Sequence, residues 1–212
     1  MIPVFQSKTT LFLVILFVSC SGSRYDTAGD YFRYIEECAN GLKISKSHGG
    51  IELTARYLPP ELKVMQELGA EYDSRMFDSL CASHAESCSF LFTIAPDKNS
   101  PVSDLNYYGI ASYDQFAERK KALNWYIEEC FILKTGQKEY LPKLFHFEQD
   151  YGISGTLKFH LVFVPDGDCF STKGKSGDAV LQFNDPYYGT GQTEFVFKAK
   201  SLRNIPTAKI KS

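Results

Sequence analysis

The sequence predicts an α+β protein with a mainly antiparallel sheet or sandwich and two or three helices inserted between the strands. Three observations support this class. About eight short apolar stretches are typical of strands, several of them alternating apolar and polar residues, while fewer stretches carry apolar residues at helical spacing, and proline, glycine or asparagine separates most of them. The sequence has no internal repeat and no low-complexity linker, so we expect residues 30–212 to form a single α+β domain. A division near residue 138, with a helical front and a β-rich back, is the alternative.

A β-hairpin is the first clear supersecondary element. Residues 42–46 and 51–58 alternate apolar and polar side chains on either side of the glycine-containing stretch 47–50, which is typical of a hairpin loop. Pro59-Pro60 ends the second strand, because proline cannot donate a backbone hydrogen bond. Proline also suits the first turn of a following helix.

Helical spacing predicts three helices, and the aromatic segment 31–35 is compatible with a strand or a helical turn. The third helix has the clearest start, because Ser112 is a favourable N-cap and Gln115, three residues later, completes a capping box. The predicted helices cover residues 61–68, residues 71–87, and the segment that begins after Ser112 and ends between 124 and 130.

The remaining apolar runs predict strands. Several of them alternate phenylalanine or leucine with polar residues, so we expect one buried face and one solvated face. The predicted strands lie at residues 89–95, 131–133, 140–147, 156–164, 179–183 and 194–198.

The first twenty residues have the three parts of a secretory signal. Lys8 supplies the cation, residues 9–18 form an apolar run, and the small residue Ser19 precedes Cys20. A run of about ten residues is too short to cross the roughly 30 Å hydrocarbon core, which requires about 20 residues in a helix. The segment Phe17-Val18-Ser19-Cys20 resembles the lipobox of bacterial lipoproteins, with phenylalanine where leucine is usual. An ordinary signal peptide, in which Cys20 plays no part, is the alternative.

This resemblance implies a lipid anchor. Signal peptidase II would remove residues 1–19, and a diacylglycerol would be joined to the sulfur of Cys20. Residues 20–29 would form a polar tether, and Ser21 after the cysteine implies the outer membrane, facing the periplasm, by the sorting rule of many Gram-negative lipoproteins. The whole chain resembles uncharacterised lipoproteins of Bacteroidota-type bacteria, in which a lipobox precedes one compact β-rich domain with no known active site.

Charge and cysteine content restrict the function classes. The net charge is −2 and becomes −3 when Lys8 is removed with the signal peptide, which argues against nucleic acid as a partner because nucleic acid favours a basic face. Five cysteines follow Cys20, an odd number that leaves at least one thiol unpaired within the chain. Their pairing stays open, although Cys81 and Cys88 are close enough for a small disulfide loop. The five are Cys38, Cys81, Cys88, Cys130 and Cys169.

No motif supplies a catalytic residue, a metal site or a cofactor site. His146 and Glu148 share one face of a predicted strand, and His160 on the next strand could join them as a metal ligand. The solvated face of an antiparallel sheet explains this pattern better. Asp166-Gly167-Asp168 begins like a calcium loop but lacks the later ligands, and Gly152-Ile153-Ser154-Gly155 lacks the final glycine of a nucleophile elbow.

Adjacent aromatic residues are the remaining candidates for a binding site. Tyr187 and Tyr188 follow Asp185-Pro186 and precede a glycine-rich stretch, so we expect them in a loop where they could contact a ligand or a partner. Tyr107-Tyr108 and Trp125-Tyr126 are similar pairs. We therefore expect a membrane-anchored bacterial lipoprotein with a non-catalytic binding or accessory role in the cell envelope, engaging another envelope protein or a glycan. A periplasmic hydrolase whose active-site residues meet only in three dimensions is the alternative.

Overall fold

Two antiparallel sheets pack face to face in the computed structural model, which describes residues 28–68, 73–102, 104–148, 155–166 and 177–207. The strands are β1 Lys43–His48, β2 Ile51–Leu58, β3 Cys88–Pro96, β4 Phe131–Thr135, β5 Lys138–Tyr140, β6 Leu144–Glu148, β7 Leu157–Phe163, β8 Ala179–Asn184 and β9 Gln192–Phe197. One sheet has the order β1-β2-β3-β7-β6 and the other has the order β5-β4-β8-β9. The predicted α+β class with an antiparallel sandwich is confirmed.

Three helices interrupt the strands in the described parts of the chain, and one further helix lies at each end. They are α1 Ala28–Glu36, α2 Pro60–Leu68, α3 Ser74–His84, α4 Tyr113–Trp125 and α5 Ala199–Arg203. None of the described helices is long and apolar enough to span a membrane. The predicted signal peptide, Cys20 and the tether as far as residue 27 lie outside the described residues.

The first hairpin has a shorter turn than the sequence predicts. Ser47 and His48 belong to β1, where they pair with Glu52 and Ile51, so that only two residues form the loop. Both are glycines with positive φ, 58° for Gly49 and 83° for Gly50. A two-residue turn of this kind requires positive φ at both positions, which only glycine adopts without strain. The predicted loop was therefore too long by two residues.

Aromatic side chains fill the space between the two sheets. Alternate residues of β2 and β7 are buried, and the rings of Phe90 and Phe92 on β3 reach across to the second sheet. The Phe92 ring lies 5.0 Å from that of Phe131, 4.9 Å from that of Phe183 and 5.6 Å from that of Phe195. Tilted and edge-to-face ring pairs at such distances stabilise beyond the area that they bury. The core thus joins residues from both sheets through phenylalanine rings.

The helices α1, α2 and α3 lie together beside β2. The segment 31–35, compatible with a strand or a helical turn, lies within α1, and its Tyr31 and Ile35 are fully buried one turn apart. Helix α3 begins later than predicted, because Asp73 caps it by accepting a hydrogen bond from the Arg75 N–H at 3.1 Å. Residues 69–72, where the prediction placed its start, lie outside the described residues.

Cys88, the first residue of β3, is disulfide-bonded and fully buried. Cys38, Cys81 and Cys130 are free thiols. The small loop considered between Cys81 and Cys88 therefore does not form, because Cys81 lies on α3 with a free thiol. Burial, together with the negative charge of Glu61, raises the pKa of Cys81 to about 12, so that this thiol is unreactive at neutral pH.

Candidate functional site

The outer face of β6 and β7 brings together the residues that were considered for a metal. His146 pairs with His160 across the two strands, with ring centres 6.0 Å apart, and His160 Nε2 lies 3.3 Å from Glu148 Oε2. Lys158 Nζ donates to Glu148 Oε1 at 2.8 Å. No group of three potential ligands within the described ranges could hold a metal ion. These side chains form a charged, solvated face.

The calcium-like segment 166–168 lies mostly outside the described residues, as does Gly152-Ile153-Ser154.

Helix α4 and the residues that flank it carry four exposed aromatic side chains. Leu123 is its only fully buried side chain, because no described element covers most of the helix. Tyr113 is 80% exposed, Trp125 70%, Tyr107 62% and Tyr126 53%. Tyr107 precedes the helix in a 3₁₀ turn, and Tyr126 follows it. We call these four residues the α4 aromatic surface. Tyr107 and Tyr113 both contact the Phe116 ring near the start of the helix, whereas Trp125 and Tyr126 are adjacent at its end. Exposed large apolar groups that lie close together, as in each of these pairs, indicate contact with a ligand or a partner.

A cavity of about 410 Å³ lies between α4 and the loop that joins β8 to β9. Gln115, Glu118, Arg119 and Ala122 line it from one side of the helix, and Tyr187 lines it from the loop. The helical residues are three or four positions apart, which places them on one face. We call this the α4 cavity. Gly109 completes its lining.

Arg119 is held in place by aromatic rings and by a backbone carbonyl. Its guanidinium lies 5.1 Å from the ring centre of Tyr187 and 5.6 Å from that of Tyr188, within the range of a cation–π interaction. One Nη donates a hydrogen bond to the carbonyl of Tyr108. Among the described residues, no carboxylate forms an ion pair with Arg119. The positive charge therefore lies at the cavity without a salt-bridge partner in this part of the chain.

Asp185 determines the position of Tyr187. Its Oδ1 accepts from the N–H groups of Tyr187 and Tyr188 at 2.8 and 2.9 Å. Its Oδ2 accepts from the N–H and the Oγ1 of Thr190 at 2.7 and 2.8 Å. Gly191, with φ of 64°, closes the loop by accepting from the Asp185 N–H at 3.1 Å. An aspartate that binds the backbone two residues later is a common turn device, and here it orders the whole loop.

Tyr187 and Tyr188, expected together as contact residues, have different environments. Tyr187 is half-buried and lines the cavity, whereas Tyr188 is 2% exposed. Burial raises the pKa of both phenols, and the effect at Tyr188 is the larger one. The Tyr188 hydroxyl is buried and has no hydrogen-bond partner among the described residues. Of the two tyrosines, Tyr187 is therefore the one that can contact a ligand in the cavity, while the buried Tyr188 ring packs near the Arg119 guanidinium.

Sequence analysis did not single out Arg119 as a candidate functional residue. The sequence contains no local signal for its role, since the tyrosines that hold it lie more than sixty residues later.

The predicted capping box at the start of α4 was more informative. Ser112 Oγ accepts from the Gln115 N–H at 3.3 Å, and Gln115 Oε1 accepts from the Ala111 N–H at 2.8 Å. The reciprocal bond thus reaches one residue before the N-cap.

Comparison with known proteins yields distant structural similarity only. No protein-family model matches the chain, and no curated protein matches it. The fold is similar to a DUF4426 family protein from Pseudomonas aeruginosa PAO1, with a TM-score of 0.35 and 10% identity over 74% of this chain and 91% of that one. It is also similar to a protein of unknown function from Burkholderia pseudomallei K96243, with a TM-score of 0.37 and 9% identity over 84% of this chain and 93% of that one. TM-scores this low support no conclusion about function.

Proposed function

We propose that the protein is a membrane-anchored bacterial lipoprotein with a non-catalytic binding or accessory role in the cell envelope. The anchor is a lipid on Cys20, and the partner is another envelope protein or a glycan. The outer membrane, on its periplasmic side, is the location that the residue after the cysteine favours. The structural observation that carries the binding role is the α4 aromatic surface, four exposed rings on α4 and on the residues that flank it.

The sequence of the first twenty residues supports the anchor. A cation, a short apolar run and a lipobox-like segment precede Cys20. A diacylglycerol with a further acyl chain would hold the protein stably, since each buried CH₂ contributes about 0.8 kcal/mol. The folded domain would then stay in water at the membrane face, with its binding surface available to other envelope components.

The disulfide at Cys88 supports an exported location. Disulfides persist in the periplasm and outside the cell, and they are rare in the reducing cytosol. The described free thiols at Cys38, Cys81 and Cys130 leave Cys20 and Cys169 as the remaining cysteines of the chain. If Cys20 carries the lipid, the proposal requires Cys169 as the partner of Cys88. Peptide mapping under non-reducing conditions should therefore find Cys88 linked to Cys169 and Cys20 linked to lipid.

No observation favours a second function. The α4 cavity is lined by glutamine, glutamate, arginine and tyrosine but by neither histidine nor cysteine. Glu118 is a carboxylate of the kind that can act as a general base, but the lining residues supply no histidine or cysteine to act with it.

Two measurements on native membranes test the proposal. Intact-mass analysis should show a lipid adduct on the wild type that is lost in Cys20→Ala, and Cys20→Ala should move to the soluble fraction. Affinity purification from detergent-solubilised membranes should recover a partner with the wild type and lose it with Trp125→Ser. Met76→Ser is the matched control, because Met76 on α3 is also an exposed large apolar residue but lies outside the α4 aromatic surface.

The two parts of the proposal fail separately. A wild-type protein without a lipid adduct would contradict the anchor, whatever it binds. A lipidated protein whose partners are the same for the wild type, Trp125→Ser and Met76→Ser would contradict the role of the α4 aromatic surface.

A further inference from the structure

The α4 cavity contains a fixed cation that forms no salt bridge with the described part of the chain. The Arg119 guanidinium is restrained by the rings of Tyr187 and Tyr188 and by the Tyr108 carbonyl, so little side-chain freedom is lost when it binds a ligand. One of its nitrogens is engaged by that carbonyl, which leaves other N–H donors for a planar, two-oxygen acceptor. A carboxylate fits such a fork.

The other lining groups discriminate among anions. Glu118 lies next to Arg119 on the same lining and forms no ion pair with a described residue. Its negative charge opposes a dianion such as a phosphate monoester, but its oxygens accept hydrogen bonds from hydroxyl groups. The Oε1 of Gln115 is used by the Ala111 N–H, which leaves the amide NH₂ as a donor toward a ligand oxygen. The cavity thus offers one site for a monoanion and sites of both kinds for hydroxyl groups.

The size and the aromatic wall favour a small saturated ring. A volume of about 410 Å³ lies within the roughly 300–1,000 Å³ range of small-molecule sites. Tyr187 is half-buried and provides a ring at the wall, on which the apolar face of a sugar can stack. A hydroxylated ring with one carboxylate satisfies all of these groups together.

We propose that the α4 cavity binds a hexuronic acid residue of an acidic glycan, with its carboxylate on Arg119, its hydroxyl groups on Glu118 and Gln115, and its ring against Tyr187. This inference rests on the proposed binding function and names its ligand class. Binding of a sugar by the purified protein does not depend on the lipid, so its outcome is separate from that of the anchoring experiment.

Titrations of the full-length protein in detergent, followed by calorimetry or by ligand-observed NMR, test the inference with four probes. These are D-galacturonate, D-galactose, D-galactose 6-phosphate and acetate. We expect millimolar binding of galacturonate and at least roughly tenfold weaker binding of the other three probes. Galactose lacks the carboxylate, galactose 6-phosphate lacks the single negative charge, and acetate lacks the ring. Equal binding of galactose, or galacturonate binding no tighter than that of acetate, would overturn the proposal.

Substitutions on α4 distinguish binding at the cavity from attraction by the overall charge of the protein. Arg119→Gln should weaken galacturonate binding by roughly tenfold or more. Lys121→Gln removes the same charge two residues further along α4, outside the cavity lining, and should leave the affinity unchanged. Arg119→Lys keeps the charge without the planar fork and should also bind weakly, which provides a second test if Arg119→Gln folds poorly.

Glu118→Gln tests the selectivity. We expect it to improve binding of galactose 6-phosphate relative to galacturonate, since the opposing charge is removed. Unchanged galacturonate affinity in both Arg119 variants, with native circular dichroism, would exclude Arg119 as the carboxylate site and so overturn the proposal.

Discussion

Aromatic residues lie in opposite environments in two regions of this molecule. Between the sheets, Phe92 and its neighbours are fully buried and contact one another across the sandwich. Around α4, Tyr113 and Trp125 are exposed to solvent over most of their area. Residue type alone does not explain the difference. A strand residue of the sandwich is covered because the second sheet faces it, whereas no described element covers most of α4.

Burial thus determines which aromatic rings stabilise the fold and which are available to contact a ligand. Rings between the sheets stabilise the fold and cannot reach a ligand. Rings on α4 remain available for contact and contribute little to the fold. The loop ordered by Asp185 connects the two regions, because it ends β8 in the sandwich and places Tyr187 at the cavity of α4.

The largest effect is expected from truncation in the sandwich. Phe92→Ala should lower the free energy of unfolding by about 3–5 kcal/mol, because it removes three ring contacts and leaves a cavity that the sheets cannot fill. Chemical denaturation followed by circular dichroism measures the change.

Trp125→Ala is the matched truncation on α4. It should change the same free energy by less than about 0.5 kcal/mol, since the ring is largely exposed. Similar losses in both variants would show that α4 is covered in solution and would remove the contrast between the two regions.

The next-largest effect is expected from removal of the disulfide at Cys88. Cys88→Ala should lower the free energy of unfolding by about 2–4 kcal/mol, because the disulfide no longer restricts the unfolded chain. A reducing agent should lower the free energy of unfolding of the wild type to that of the variant and leave the free energy of unfolding of the variant unchanged. Cys130→Ala, at a free thiol, is the control and should keep the sensitivity of the wild type to reduction.

Asp185→Ala should affect both regions. The carboxylate accepts several short hydrogen bonds within the loop, and their loss should cost about 1–3 kcal/mol of stability. The binding of galacturonate should weaken as well, because Tyr187 loses its fixed position. Asp185→Asn keeps one acceptor oxygen and should give a smaller loss in both measurements. A variant with reduced stability but unchanged galacturonate affinity would show that the loop does not position the ligand.

The sequence predicted the parts of this structure that depend on local signals. The alternation of β2 and β7, the proline end of β2 and the Ser112 cap of α4 all depend on residues within a few positions, and each predicted element is present. Helix α5 has no such signal. Its first N–H, from Ala199, donates to Asp178, about twenty residues earlier, so that its cap depends on the folded sheet.

The candidate site could be predicted only in part for the same reason. Turn residues around Tyr187 indicated a loop, which the structure has, and the aromatic pairs indicated a surface for binding. The cavity depends on Arg119 meeting Tyr187 and Tyr188, and this meeting is set by how α4 packs against the end of the second sheet. No spacing within the sequence encodes that contact.

The smallest effect is expected on the outer face of the sandwich, at Glu148. The hydrogen bond from Lys158, supported by His160, lowers the pKa of this carboxyl below its ordinary value of 4.5. A lowered pKa in the folded state means that the carboxylate stabilises the protein above pH 4.5 and that this contribution is lost as the pH falls through the folded-state pKa.

Glu148→Gln should therefore lower the free energy of unfolding at neutral pH by less than about 1 kcal/mol, because both partners are partly exposed and solvent screens the pair. The difference from the wild type should vanish in strong acid, where the carboxyl of the wild type is protonated. A double-mutant cycle with Lys158→Met, measured from neutral to acid pH, isolates the pair from other effects of either substitution. A coupling energy that persists in acid would show that Lys158 and Glu148 interact through packing of their side chains. A coupling well above 1 kcal/mol at neutral pH would mean that this face is covered in solution, and the outer strands would then resemble the interior of the sandwich more than the surface of α4.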